Sequence, residues 1–401
     1  MIQRRFPLTI NRLSALSARR YPHSMSSTQI NGIARPANMP QTPAAFDFRT
    51  DTITTPTKSM LLSMTQSTLG DAVFNEDETT ASFEAHVAQL LGHEKGLFVP
   101  SGTAGNQIAM RSHLTSPPHS VLCDHRAHIV TSEAGGLATL SQAMVQSVIP
   151  SNGVYLTVED VKRGAILDED IHYAPTRVIA LENTLGGTIL PLEEVARIRE
   201  FATAHGVKMH LDGARLWNAC AAGAGSLSDY GRHFDSVTVC FSKGLGAPVG
   251  SVLVGSPTFI QKAKWIRKSI GGGMRQTGTL TNAAWTALRE TYPKLPVTHE
   301  VTKDLEQHFR SLGIKIKLPV QTNMIFMDLD ATGLKNAWFV EEAKKHGVKF
   351  GYSGRIVVHY QICPEAVAGL KATVETVVKK KAAGDYNEDT EEDIPGYGNM
   401  K

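Results

Sequence analysis

The chain is short of several things, and each shortage excludes something. Four cysteines, Cys123, Cys220, Cys240 and Cys363, are spread over 401 residues without a CxxC spacing. That fits buried thiols in a reducing compartment better than a disulfide framework. No apolar run approaches the ~20 residues that a membrane helix needs. Residues 1–46 contain no acid, yet they hold six arginines: Arg4, Arg5, Arg12, Arg19, Arg20 and Arg35. Taking those six from the 41 basic residues leaves 35 against 38 acidic ones. The formal charge of +3 therefore hides a mildly acidic body, and nucleic-acid binding loses its main electrostatic support. No internal repeat is visible.

The arginine-rich, serine-bearing start reads as a mitochondrial transit peptide, with Phe6, Leu8, Ile10, Leu13 and Leu16 as its apolar face. The plainer alternative is a disordered extension, and Met25 would start a cytosolic form. At the other end, Asp385 to Asp393 holds six acids in nine residues and reads as a disordered tail. The expected division is a leader over 1–45, a large domain over 46–290, a small C-terminal domain over 291–380 and a tail over 381–401.

Between leader and tail, two periodicities alternate. Arg177 to Glu182, Val207 to Leu211, Ser236 to Phe241 and Ser251 to Val254 are short β-branched or apolar runs. Leu192 to His205 places Val195, Ile198 and Ala202 at helical spacing, with Gly206 as the stop. Repeated strand–helix–strand order predicts an α/β fold with a mostly parallel sheet between helices. After a break at Pro293-Lys294-Leu295-Pro296 the pattern predicts a smaller α+β domain. Its helices are Val301 to Leu312, Trp338 to His346 and one from Pro364; its strands are Asn323 to Leu329 and Arg355 to Tyr360.

Catalytic groups in parallel sheets lie beyond the carboxyl ends of the strands. Asp212 follows one apolar run and Lys243 the next, 31 residues on. An acid and a lysine so placed describe a pyridoxal phosphate site. The lysine amine meets the cofactor aldehyde, and the acid holds the ring nitrogen protonated. Ser101-Gly102-Thr103-Ala104-Gly105 ends another apolar run, and a helix opening near Gly105 would turn its free amides toward a phosphate. Taken singly, that motif is more often a capped helix. His128 is read as lying on the ring face, although an isolated histidine is more often structural. Cys123, His125 and His128 invite a zinc reading, but no second ligand pair stands at metal spacing, so no metal is expected. Arg215, three residues after Asp212, is expected beside it. Gly271-Gly272-Gly273-Met274-Arg275 can carry a guanidinium to a phosphate, within the chain or on a neighbouring subunit.

These residues resemble the threonine aldolase family, a group of pyridoxal phosphate enzymes with the aspartate-aminotransferase fold, also called fold type I. The likeness runs from Asp47 to about Ala368, through Arg49 to Thr54, Gly70 to Asp77, Phe98 to Asn106, His128 to Gly136, Leu211 to Asn218, Ser242 to Gly250 and Gly271 to Gly278. It implies a sheet of the seven-stranded type. It also implies that Lys243 is the Schiff-base lysine, that Asp212 pairs with the ring nitrogen and that His128 stacks on the ring. Ser101, Gly102, Thr103 and a partner's Arg275 would hold the phosphate. Arg215, Arg355, Thr50 and Lys268 would surround the substrate. The implied reaction is retro-aldol cleavage of L-threonine or L-allo-threonine by a homo-oligomer, a dimer at least and a tetramer in many members. Other pyridoxal phosphate reactions (hydroxymethyl transfer, β-elimination, racemisation) and a non-catalytic cofactor-binding scaffold stay open as alternatives. Many members carry a histidine in the loop after Glu-Asn-Thr; here Glu182-Asn183-Thr184 runs straight into Leu185-Gly186-Gly187-Thr188.

Overall fold

The computed structural model describes residues 42–168 and 170–386. The leader, Met25 and the tail beyond Tyr386 lie outside the described residues. Seven strands form one sheet: β1 (Lys95–Val99), β2 (Ser120–Asp124), β3 (Met144–Val148), β4 (Thr176–Glu182), β5 (Lys208–Gly213), β6 (Ser236–Cys240) and β7 (Ser251–Gly255). Their spatial order is β1-β7-β6-β5-β4-β2-β3. The neighbours from β6 across to β3 are parallel. β7 is antiparallel to both β6 and β1. The reason is local: no helix separates Cys240 from Ser251, and so short a link cannot make a parallel crossover.

Both faces of the sheet are covered, and the side chains divide with the period of two that a strand imposes. In β4, Ile179 and Leu181 join the core shared with Met209, Leu211, Val237 and Val239. Val178 and Ala180 join the opposite core with Val121, Cys123, Ile108 and Met110. Helix Leu192–Ala204 buries Val195, Ile198 and Ala202, as its spacing requires.

Boundaries differ from the sequence reading at several places, two of which bear on the site and the domain division. The helix expected near Gly105 starts at Gly102, because Ser101 Oγ accepts from the Ala104 amide at 3.1 Å and caps it there. The prolines near 293–296 do not break the chain. A 3₁₀ turn (Tyr292–Lys294) runs into helix Leu295–Ser311, with Pro296 in the first turn, where its missing N–H costs nothing.

Strands β8 (Met324–Phe326) and β9 (Arg355–Val357) pair antiparallel. They serve a second core, in which Ala45 and Phe48 meet Leu305, Phe309, Phe339, Ile356 and Leu370. The Phe48 amide donates to Lys349 O at 2.9 Å and Phe48 O accepts from the Val357 amide at 2.8 Å. This stitching fixes the residues that follow Phe48, among them Thr50 and Asp51. No helix among the described residues is long and apolar enough to cross a membrane.

Candidate active site

The parallel strands deliver a row of polar groups at their carboxyl ends. Glu182 ends β4 and stands in register with Asp212 of β5. Lys243 follows β6 in a glycine-bearing turn, held by Thr54 Oγ1 and the Gly246 amide, which donate to Lys243 O at 2.8 and 2.9 Å. Its positive charge acts on Asp51, Glu182 and Cys240, so the lysine belongs to this cluster.

Asp212 is 7% exposed. Its Oδ2 accepts from Asn106 Nδ2 at 2.7 Å and its Oδ1 from the Ala214 amide at 3.0 Å. Arg215 pairs elsewhere. Arg215 Nε and Nη2 donate to the two oxygens of Asp51 at 2.8 and 2.6 Å. The cause is the arrival of Asp51 from the far end of the chain, which offers a two-pronged acceptor that matches a guanidinium. Burial would raise the Asp51 carboxyl, but the charge and hydrogen bonds of Arg215, with Lys243 and Arg355 behind them, hold it well below the ordinary carboxylate range. Arg215 is raised in turn, burial being outweighed by Asp51.

His128 opens a short helical turn and donates its amide to Glu182 Oε2 at 2.8 Å. Its Nδ1 lies 2.9 Å from Glu133 Oε1. That bond raises the imidazole pKa against partial burial, and the charges of Asp212, Glu133 and Glu182 add to it. Glu133 also accepts from Asn106 Nδ2 at 2.9 Å and from Gln107 Nε2 at 2.6 Å. Burial, then the charge of Asp212, pushes the Glu182 carboxyl up to about 7. One carboxyl near neutrality beside a buried partner is an arrangement that handles protons.

The phosphate candidates stand at the start of helix Gly102–His113. A Cβ on Gly102 would meet Cys240 Sγ at 2.7 Å, and one on Gly105 would meet Thr238 Cγ2 at 2.6 Å. Glycine here lets the helix start sit against β6, bringing its free amides to the strand ends. A buried acid, a lysine at a neighbouring strand end and a helix start with free amides therefore fit pyridoxal phosphate.

The remaining candidates are more dispersed. Thr50 caps the turn Asp51–Ile53. Arg355, on β9, contributes to the field at Asp51. Lys268 ends helix Pro257–Ser269. Arg275 is on the surface, where Nη1 donates to Asp71 Oδ2 at 2.8 Å. Cys123, His125 and His128 form no ligand group among the described residues; burial, with Asp124 and Glu182 nearby, pushes the Cys123 thiol up to about 12. His128, Glu133 and Asp212 instead bring ligand atoms within 4.8 Å of one another, at the place read for the cofactor ring.

Four residues of the cluster, Asp51, Asn106, Glu133 and Glu182, carry no role in the sequence reading. Each stands inside a motif read for another residue: Asp51 beside Thr50, Asn106 after the phosphate turn, Glu133 before its glycines and Glu182 before Asn183.

Comparison with known proteins bears on this site. The family model described as beta-eliminating lyase matches residues 47–332. A protein named aldolase vrtJ from Penicillium aethiopicum is 49% identical, covering 87% of this chain and 90% of its own. The low-specificity L-threonine aldolase of Eremothecium gossypii is 46% identical, covering 86% and 91%. A Cochliobolus carbonum protein named alanine racemase TOXG is 43% identical, covering 86% and 91%. Among solved structures, a Leishmania major threonine aldolase shares the fold with a TM-score of 0.70 at 20% identity, over 84% of this chain and 99% of that one.

Proposed function

Because the chain belongs to the β-eliminating lyase family, in its threonine aldolase branch, we propose that it cleaves L-threonine and L-allo-threonine to glycine and acetaldehyde with pyridoxal 5'-phosphate. The observation that carries the reading is the placement of Lys243 and Asp212 at neighbouring parallel strand ends, beside His128 and the helix start at Gly102. When bound, the cofactor supplies an electron sink for the pair released from the Cα–Cβ bond.

The chain's own groups divide the remaining work. Lys243 Nζ is the amine that meets the cofactor aldehyde. Asp212, fixed by Asn106 and the Ala214 amide, receives the ring N–H. Ser101, Gly102 and Thr103 bind the phosphate at the positive end of their helix, and Arg275 reaches it from a second copy. Arg215, steadied by Asp51, and Arg355 bind the substrate carboxylate near Thr50 and Lys268. His128 and Glu182 are the groups placed to take the β-hydroxyl proton. A proton returned to Cα balances the cleavage and leaves glycine. Phe74 and Trp265, both exposed, are chain neighbours of Asn75 and Lys264, which a hydrogen bond joins, and this apolar surface is available to that second copy, in a dimer or a tetramer. The role in the cell is amino-acid catabolism with glycine supply, in mitochondria where the leader is used and in the cytosol for a start at Met25.

Racemisation is the second reading, favoured by the 43% identical relative named alanine racemase. Product analysis separates the two. L-threonine and L-allo-threonine are expected to yield equal amounts of glycine and acetaldehyde, while L-alanine yields no D-alanine. Turnover and the visible absorption of bound cofactor are both expected to vanish in Lys243→Ala. Retention of both in a folded Lys243→Ala protein would overturn the assignment.

A further inference from the structure

Behind Asp212 runs a line of polar side chains, buried except for the half-buried His113, of which the proposed reaction uses Asn106 alone. Helix Gly102–His113 presents Asn106 and His113, two turns apart, to the sheet face that carries His210 and Ser236. Those two are register partners on β5 and β6. Asn106, His210 and Ser236 are at most 1% exposed. The distances form a continuous series. His113 Nε2 to Ser236 Oγ is 2.7 Å, Ser236 Oγ to His210 Nδ1 is 2.8 Å, and His210 Nε2 to Asn106 Oδ1 is 3.1 Å. Asn106 Nδ2 to Asp212 Oδ2, at 2.7 Å, completes it.

The direction of every proton in this line follows from its end. Asn106 Nδ2 lies between two carboxylates, Glu133 and Asp212, so it is the donor and Oδ1 is the acceptor. His210 Nε2 must then carry a proton. Burial lowers the His210 pKa to about 4, against the pull of Asp212, so the ring is neutral and its Nδ1 is bare. The Ser236 hydroxyl donates to that Nδ1. His113 is neutral as well, lowered by burial to about 3, and its Nε2–H donates to Ser236. All four bonds therefore point the same way, toward Asp212.

We propose that His113, Ser236, His210 and Asn106 are positioning residues that fix the Asp212 carboxylate against the cofactor ring nitrogen. The proposal rests on the pyridoxal phosphate reading above. Aligned donors offset part of the desolvation of a charge at a site that is 7% exposed. Asn106 does more than end the line. Through Glu133 the same amide is tied to His128 Nδ1, so it sets the spacing between the imidazole on the ring face and the acid at the ring nitrogen. An apolar residue at 106 would fill the space and leave both carboxylates short of a donor.

The test titrates the full-length apo-protein with pyridoxal 5'-phosphate and records affinity and the circular dichroism of the bound chromophore. Asn106→Leu, which loses a hydrogen bond to a charged group, is expected to bind about tenfold more weakly or worse. Ser236→Ala, two links away, is expected to lose about two- to fivefold. The dichroic band, which reads ring orientation, should change in the same order. Ser236→Thr keeps the hydroxyl and should keep the wild-type values. Wild-type affinity and dichroism in folded Asn106→Leu and Ser236→Ala would overturn the proposal, and so would equal losses in Ser236→Ala and Ser236→Thr. If Asn106→Leu does not fold, the two Ser236 variants decide alone. A wild-type protein that takes up no cofactor would defeat the functional reading, and this inference with it.

Discussion

Two regions of the molecule are buried to a similar degree by opposite means. The second core joins Phe48, Phe309, Phe339, Ile356 and Leu370 with apolar surface, including Phe339 and Phe350 stacked at 5.0 Å. The mouth of the seven-stranded sheet buries Asp51, Glu133 and Asp212 instead, each with designated donors. Apolar burial is favourable wherever it occurs. Buried charge is not, because desolvation opposes it even when the partners are good. A chain that gathers charged groups at one place, and satisfies them one by one, gives up stability there for chemistry.

The sharpest way to break this contrast is to remove Arg215. Arg215→Leu leaves Asp51 buried without its bidentate partner, and about 3–5 kcal/mol of stability should be lost. Replacing both residues by leucine should restore most of that stability in denaturant unfolding while activity stays absent. A loss under about 1 kcal/mol in the single variant would mean that the pair behaves as a solvated one, and the contrast would fail. Phe339→Ala probes the other region. It should cost about 3–4 kcal/mol through cavity formation, yet turnover per folded molecule should stay near wild type. A matching fall in turnover would show that the second core shapes the site and does not merely close it.

The legibility of the sequence follows the same division. Strands β4 to β7 are visible because short, continuous apolar and β-branched runs report a strand buried on both faces. Lys243 and Asp212 were visible because chemistry at parallel strand ends has a fixed place relative to those runs. Asp51 was not. It meets Arg215 across 164 residues, and nothing local records that pairing. Asn106, between two carboxylates, and Glu133, which gathers Asn106, Gln107 and His128, are hidden for a related reason, since each is defined by its neighbours in space. The sequence pattern overextends β8, because Asp328 caps a helical turn at Leu329 where the apolar pattern continues, and it overextends β9, which ends at Val357.

A smaller effect tests whether the charged mouth titrates as its geometry requires. Burial and Asp212 raise Glu182 to about 7, so its proton is held more tightly in the folded state than in the unfolded one. Its contribution to stability is complete below its unfolded value of about 4.5 and is lost as pH rises through about 7. His128 is raised as well and acts in the same sense at its own midpoint. Asp51 acts oppositely, but only below the ordinary carboxylate range, outside this window. The Glu182 share of wild-type stability should therefore fall between about pH 5 and about pH 8, by on the order of 1–3 kcal/mol. The imidazoles of His113, His210 and His299, held below their ordinary value by burial, pull the other way as pH rises through the histidine range. The difference between wild type and Glu182→Gln isolates the Glu182 slope. Glu182→Gln should flatten the part of that slope below neutrality and slow turnover. An unchanged slope would remove Glu182 from the proton-handling groups.

The smallest expected effect separates stability from function at a single hydroxyl. Ser101 Oγ caps helix Gly102–His113 by accepting from the Ala104 amide, and the residue itself is exposed. Losing such a cap costs about 1 kcal/mol, which is what Ser101→Ala should show on unfolding without cofactor. If the same helix start binds phosphate, the variant should also bind pyridoxal 5'-phosphate more weakly. Ser101→Gly retains most of a cap's value but has no hydroxyl. Equal cofactor affinity in Ser101→Gly and wild type would reduce Ser101 to a helix cap and leave the phosphate to the backbone amides and Thr103. A loss in Ser101→Gly matching that in Ser101→Ala would assign the hydroxyl to the phosphate, at a position where unfolding alone would have reported only a helix end.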